Sequence, residues 1–229
     1  MLLKAAAVLI IFFISIIPLN ADSDNGIFHW AVTGGLLYFP ADNGVDSDPA
    51  PIIPALGFSL AFQVHKILRI ELTEDIYFTN YEYNVKLGYP MACSIENRFS
   101  FVLGFFTAIQ LTAALPLGGG GTFIRFFAGP AADFRVVVPA IGLNHPADHT
   151  GNIESDATLQ TNAIKDYFWS EGRWLMPVAG LGMDFPISEA LKIGFDLRAW
   201  FPVYKLWTND KTSFIDGWRF GAGFRITPR

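Results

Sequence analysis

The chain holds a single cysteine, Cys93, so no disulfide can form within it and rigidity has to come from the pairing of backbone with backbone. Cys93 itself reads as an unreactive thiol on a strand. Charge is scarce as well. Charged residues make up 16% of the chain and the formal net charge is −5, which leaves no basic surface and excludes nucleic acid as a partner. Beyond the amino-terminal segment there is no helical membrane span. The most apolar window, Phe99 to Leu117, alternates in character and carries Thr107, Gln110 and Thr112. A phosphate-cradling loop is missing too, because Gly118 to Gly121 runs into a strand pattern and not into a helix. His145 and His149 lie beside Pro146 and Asp148 in a run of turn-formers, with no third ligand at a fixed spacing. The chain is therefore read as neither an enzyme nor a cofactor protein.

The first residues point to export. Met1 to about Asp22 has one early cation, Lys4, then an apolar run from Ala5 to Ile17, then Pro18-Leu19-Asn20-Ala21 before an acidic, polar stretch. That run is shorter than the ~20 residues a helix needs to cross a bilayer, and the small residue Ala21 offers a cleavage position. Residues 1–21 are read as a signal peptide and residues 22–229 as one domain. Loss of Lys4 takes the formal charge from −5 to −6.

What fills the remainder is alternation with an inverted sense. Leu56-Gly57-Phe58-Ser59-Leu60-Ala61-Phe62 sets a bulky apolar residue at each even position and a small one at each odd position. The pattern returns at Phe99–Phe105, Leu191–Arg198 and Trp218–Ile226, where the other face alternates Gly with Arg, Lys and Asp. A soluble sandwich turns its bulky face to a shared core. Here the bulky face suits lipid and the small, charged face suits a closed interior, the pattern of a transmembrane β-barrel.

Ten antiparallel strands are expected, with eight possible if a weak pair merges. The weakest is near Asn84 to Ser94, where Pro90 interrupts it; Gly129-Pro130-Ala131-Ala132-Asp133 is read as a hairpin turn between strands six and seven. Turns at His65-Lys66, Ile95 to Arg98, Gly129 to Asp133 and Pro186 to Ala190 fall at one end, and loops at 40–51, 80–83, 114–121, 144–172 and 205–216 at the other. Glu74 breaks the lipid-facing pattern, which predicts a bulge there or a place at the membrane interface. Trp30, Tyr38, Tyr77, Trp174, Trp200, Tyr204, Trp207 and Trp218 are candidates for interfacial girdles, although strict alternation turns Trp200 inward.

The carboxyl end, Arg219-Phe220-Gly221-Ala222-Gly223-Phe224-Arg225-Ile226, resembles the terminal-strand signal read by bacterial barrel-assembly machinery, and departs from it in continuing through Thr227-Pro228-Arg229. Size and strand pattern are similar to the small outer-membrane barrels of the OmpW, OmpX and OmpA-barrel type, and the terminal segment has the look of spirochaete outer-membrane proteins. The resemblance implies a bacterial outer-membrane location, outer-membrane lipid around the barrel and the assembly machinery as a partner through Arg219–Ile226. Its OmpW-like side also implies passage of small hydrophobic compounds, for which Phe106, Met176, Val178 and Trp200 supply apolar inner lining.

The lumen-lining candidates by alternation are Arg69, Glu71, Lys192, Asp196, Arg198, Arg219 and Arg225, with His29, Lys86 and Asp184 in the same register. These charges either pair across a narrow lumen and seal it, or line a small water-filled pore. The function expected is a narrow channel or conduit for small solutes. The alternative is a sealed barrel acting in surface binding or membrane integrity through its loops. Loop 144–172 is the longest and ends in Tyr167-Phe168-Trp169, which either docks on the barrel rim as a lid or meets a surface ligand.

Overall fold

The computed structural model describes residues 28–40, 52–93, 99–118, 120–140, 151–154, 156–208 and 217–228. The expected signal peptide, the acidic loop after Pro40 and the His145/His149 segment lie outside the described residues.

The alternating segments become ten strands: β1 (Phe28–Tyr38), β2 (Ile52–His65), β3 (Leu68–Asn84), β4 (Tyr89–Cys93), β5 (Ser100–Pro116), β6 (Phe123–Gly129), β7 (Ala131–Pro139), β8 (Val178–Ser188), β9 (Leu191–Trp200) and β10 (Arg219–Pro228). All pairings are antiparallel. Eight strands close a ring in the order β1-β2-β3-β5-β6-β8-β9-β10, with β10 returning to β1 through seven paired positions from Val32↔Ile226 to Tyr38↔Phe220. β4 and β7 stay outside this ring. β4 pairs with the far end of β3, and β7 pairs with the far half of β5.

The Gly-Pro step is where the sequence reading is corrected. β6 and β7 run along β5 in one unbroken register, from Pro116↔Phe123 to Leu111↔Ala128 and then from Ala108↔Ala131 to Ser100↔Pro139. No hairpin turns there. Pro130 has no N–H to give the ladder, but its carbonyl still accepts from Ile109 N at 3.0 Å, so the strand is interrupted without reversing. Gly129 is required at this point, because a Cβ there would meet Ile109 O at 2.1 Å. Once this turn is removed, the ends of the barrel sort differently. Both described termini, His65-Lys66, the segment after Pro116 and the β8–β9 turn share one end. The last residues of β1, β3, β7 and β9 share the other.

Faces follow the alternation. Leu56 and Phe195, outward by register, are 69% and 60% exposed, whereas inward Ser59 and Glu71 are 1% and 2% exposed. Val32, Leu36, Ile70, Ile109, Leu111, Phe126, Leu181, Leu197 and Phe224 extend this apolar belt around the ring. No helix among the described residues is long and apolar enough to cross a membrane; the apolar surface is on strands. Glu74 keeps its register with Phe58 and Thr107, so the expected bulge is absent. Its carboxylate stays on the outer face and accepts a hydrogen bond from Thr107 Oγ1 at 2.6 Å. Among the girdle candidates Tyr38, Trp174 and Trp207 are exposed, but Tyr77 and Tyr204 are buried, as is Trp200. Lys86, placed inward by alternation, is exposed in the turn after β3.

One helix, α1 (Ala157–Trp169), lies in the long connection from β7 to β8. Asp156 caps it, accepting from the backbone N–H of Thr158 at 2.9 Å and of Leu159 at 3.1 Å. Ala157, Gln160, Thr161, Ile164 and Phe168 are buried at helical spacing, the face laid over β3, β4, β5 and β7.

Two substitutions test the face assignment. Leu60→Arg places a guanidinium against lipid and is expected to cost roughly 2–4 kcal/mol near the bilayer midplane. Ser59 faces a filled interior, so Ser59→Arg is expected to cost at least as much. Urea titration of protein folded in micelles measures both, and a neutral Ser59→Arg contradicts the packing.

Candidate functional site

The interior is the first candidate, because it gathers most of the buried charge. Arg225 stands at its centre. Its guanidinium binds Glu71 and donates to Ser59 Oγ at 2.5 Å, while Thr112 Oγ1 donates to Glu71 at 3.0 Å. One rung along, Arg125 has its Nη2 2.5 Å from Asp196 and its Nε 2.8 Å from Asp184. Arg198 bridges Asp196, at 3.1 Å, and Asp75. Thr33 Oγ1 donates to Asp75 at 3.3 Å. Every ring strand contributes: Thr33 from β1, Ser59 from β2, Glu71 and Asp75 from β3, Thr112 from β5, Arg125 from β6, Asp184 from β8, Asp196 and Arg198 from β9, and Arg225 from β10.

The charges balance. Arg125, Arg198 and Arg225 with Arg69 make four cations; Glu71, Asp75, Asp184 and Asp196 make four anions. Arg69 sits nearer the short-turn end and donates to Gln63 Oε1 at 2.7 Å. Balance matters because breaking one partner of a buried pair leaves an uncompensated charge.

Inward glycines make the room for these groups. A Cβ on Gly182 would meet Asp196 Oδ1 at 2.2 Å, one on Gly194 would meet Asp184 Oδ1 at 2.2 Å, and one on Gly57 would meet Asp75 Oδ1 at 2.6 Å. The same device seats the aromatic layer above. The Tyr77 ring lies 2.0 Å from where a Gly104 Cβ would be, and the Trp200 ring 3.0 Å from that of Gly221. Tyr77 stacks on Phe106 at 5.2 Å between centroids, Phe106 stacks on Trp200 at 4.6 Å, and Phe39 meets Tyr77 edge-on at 5.2 Å. Met176 and Val178 pack in the same cluster.

A cap completes the loop end. Tyr77 donates to Asp133 Oδ1 at 2.7 Å, Arg135 Nε donates to Asp133 Oδ2 at 2.6 Å, and the Arg135 guanidinium lies 4.1 Å over the ring of Phe168 on α1. Phe168 also meets Tyr81 edge-on at 5.1 Å, Ser100 Oγ and Thr161 Oγ1 are 2.7 Å apart, and Tyr83 N donates to Gln160 Oε1 at 2.9 Å. The aromatic end of loop 144–172 thus docks on the rim.

Of the sequence candidates, Glu71, Asp196, Arg198 and Arg225 meet in one network, with Arg69 beside it. Lys192 lies apart, half-buried near the short-turn end, its Nζ 5.4 Å from the Phe123 ring centroid. Arg219 is elsewhere again, above the aromatic layer, with its guanidinium 4.2 Å over Phe39. Sequence reading missed Arg125, Asp75, Asp133 and Arg135. All four are inward by strict alternation; the false turn at Gly129–Asp133 hid Asp133 and Arg135 and the faltering pattern near Glu74 hid Asp75, whereas nothing in the pattern of β6 hid Arg125.

No family model matches the chain, and no curated protein matches it. Solved structures do. Neisserial surface protein A is similar with a TM-score of 0.50 at 7% identity, over 89% of this chain and 97% of that one. The N-terminal β-barrel domain of Pseudomonas aeruginosa OprF gives 0.45 at 11% identity, over 88% and 96%, and the outer membrane protein OprG of the same organism 0.44 at 10%, over 87% and 95%.

A double-mutant cycle tests the network. Glu71→Gln or Arg225→Met alone is expected to cost about 3–5 kcal/mol, and the pair much less than the sum. Additive losses in urea titrations refute the pairing. Gly104→Val, which drives a side chain into the Tyr77 ring, is expected to cost about 1–3 kcal/mol and to diminish the near-ultraviolet dichroism of the aromatic layer. The fold that carries both features is that of the small bacterial outer-membrane β-barrels.

Proposed function

We propose that this chain is an integral outer-membrane barrel with a sealed interior that works at the cell surface through its cap. The single observation that carries the reading is the balanced charge network drawn from all eight ring strands, with the aromatic layer directly above it. A pore lining needs charged groups facing water, and four of the groups that alternation offered for that role, Glu71, Asp196, Arg198 and Arg225, are engaged in one network. A conduit for hydrophobic solutes needs open apolar lining, and Phe106, Met176, Val178 and Trp200 are packed together. The ring of eight also stands at the width where side chains alone fill the interior.

The reading includes export through residues 1–21, recognition of Arg219–Ile226 by barrel-assembly machinery, and outer-membrane lipid around the apolar belt. The work is assigned to the cap formed by α1, β4, β7 and the segments near them. It is a binding role and not a catalytic one.

Planar-bilayer recording tests this. Refolded protein whose unboiled band migrates differently from the boiled one is expected to be electrically silent, under conditions where a general porin gives discrete steps. Reproducible steps from the folded chain restore the narrow-channel reading and end this one.

A further inference from the structure

Above the aromatic layer, at the loop end, the barrel mouth encloses a cavity of about 60 Å³ bounded by Phe39, Tyr81, Tyr167, Arg135, Arg173 and Arg219. Three guanidinium groups line one small space. Two of them have counter-charges: Arg135 pairs with Asp133, and Arg173 has Nη2 2.5 Å from Glu171. Arg219 differs. Among the described residues no carboxylate lies within ion-pair distance of it, although its side chain is only 9% exposed. It donates from Nη1 to the Trp218 carbonyl at 2.8 Å and lies over Phe39, and its Nε, like that of Arg173, is buried with no hydrogen-bond partner.

In the network below, Arg125, Arg198 and Arg225 each meet a carboxylate; at the mouth, among the described residues, Arg219 meets none. A buried guanidinium without a counter-ion is costly, and an arginine presents its donors as a planar fork suited to an oxyanion. Aromatic rings surround the spot. Arg173 lies 4.1 Å over Tyr167, so the walls offer π-faces to whatever carries the charge.

We propose that the mouth cavity binds one oxyanion group, a carboxylate, sulfate or phosphate monoester, carried by a small soluble molecule with an apolar or aromatic body, and that Arg219 is its anchor. This deepens the surface-binding reading and rests on it. The cavity is bounded by loop-end elements above the closed aromatic layer, so the anion enters from the loop side and goes no further.

The test is calorimetric titration of the full refolded chain in zwitterionic micelles, first with inorganic phosphate and then with phenyl phosphate. Both are expected to bind, phenyl phosphate more tightly. Arg219→Gln is expected to weaken phenyl phosphate at least about tenfold, with Arg219→Lys retaining part of the affinity. If Arg219→Gln does not show the folded band shift, Arg173→Gln serves in its place and is expected to lower affinity in the same direction. Affinity unchanged in the folded variants, or no binding of either anion to the parent chain, overturns the proposal. Competition by nanodiscs containing phosphatidylglycerol would assign the site to a lipid headgroup and overturn the soluble ligand. Bilayer recording separates the two readings: a silent barrel that binds no anion loses only this inference, whereas a conducting one loses the sealed interior on which it rests.

Discussion

Everything in this molecule answers to the width of a closed ring of eight strands. Such a ring encloses a space that side chains can fill and water cannot usefully share, so each inward position is decided by its neighbours across the lumen. The chain meets the constraint with a small set of long charged residues and an unusual supply of glycine. Gly57, Gly182 and Gly194 leave open the volumes that Asp75, Asp196 and Asp184 occupy. Gly104 and Gly221 do the same for Tyr77 and Trp200. The glycines on the inner face are spacers for the residues of the next strand, and that explains why Gly and charge alternate there.

The loop end is built on the same interior. Tyr77 belongs to the aromatic layer through its ring and to the cap through its hydroxyl, which donates to Asp133. Asp133 holds Arg135, and Arg135 carries Phe168 of α1. A chain of contacts therefore runs from the barrel interior to the helix at its mouth, and β7 can bear that helix because it continues β6 along β5 beyond the ring. The cap is an extension of the barrel wall.

Much of this was legible in the sequence, and what was not has physical reasons. Period-two alternation assigned Ser59, Glu71, Asp196 and Arg225 to one face and Leu56, Phe195 and Phe224 to the other, because a strand fixes the side of every residue once the side of one is known. Gly129-Pro130 misled, since the dipeptide that most often turns a chain here only drops one ladder bond. Tyr77 and Tyr204 stand near predicted strand ends, which suggests membrane anchors, although the alternation of β3 turns Tyr77 inward. Helix α1 was hidden by its polarity, yet Asp156 ahead of Ala157, Gln160, Ile164 and Phe168 carried a cap and a buried stripe. The pairings themselves could not be read. Arg225 finds Glu71 across 154 positions of sequence, and Arg198 finds Asp75 across 123, which only closure of the ring brings about.

The measurement that bears most directly on a filled, charge-paired interior is amide and guanidinium hydrogen exchange by NMR on arginine-labelled protein in nanodiscs. The account predicts resolved Nε–H signals from Arg125, Arg198 and Arg225 that persist for hours in deuterated buffer at neutral pH. Collapse of those three signals to the rapid exchange of free arginine would mean that water reaches them, and the sealed barrel would have to be abandoned.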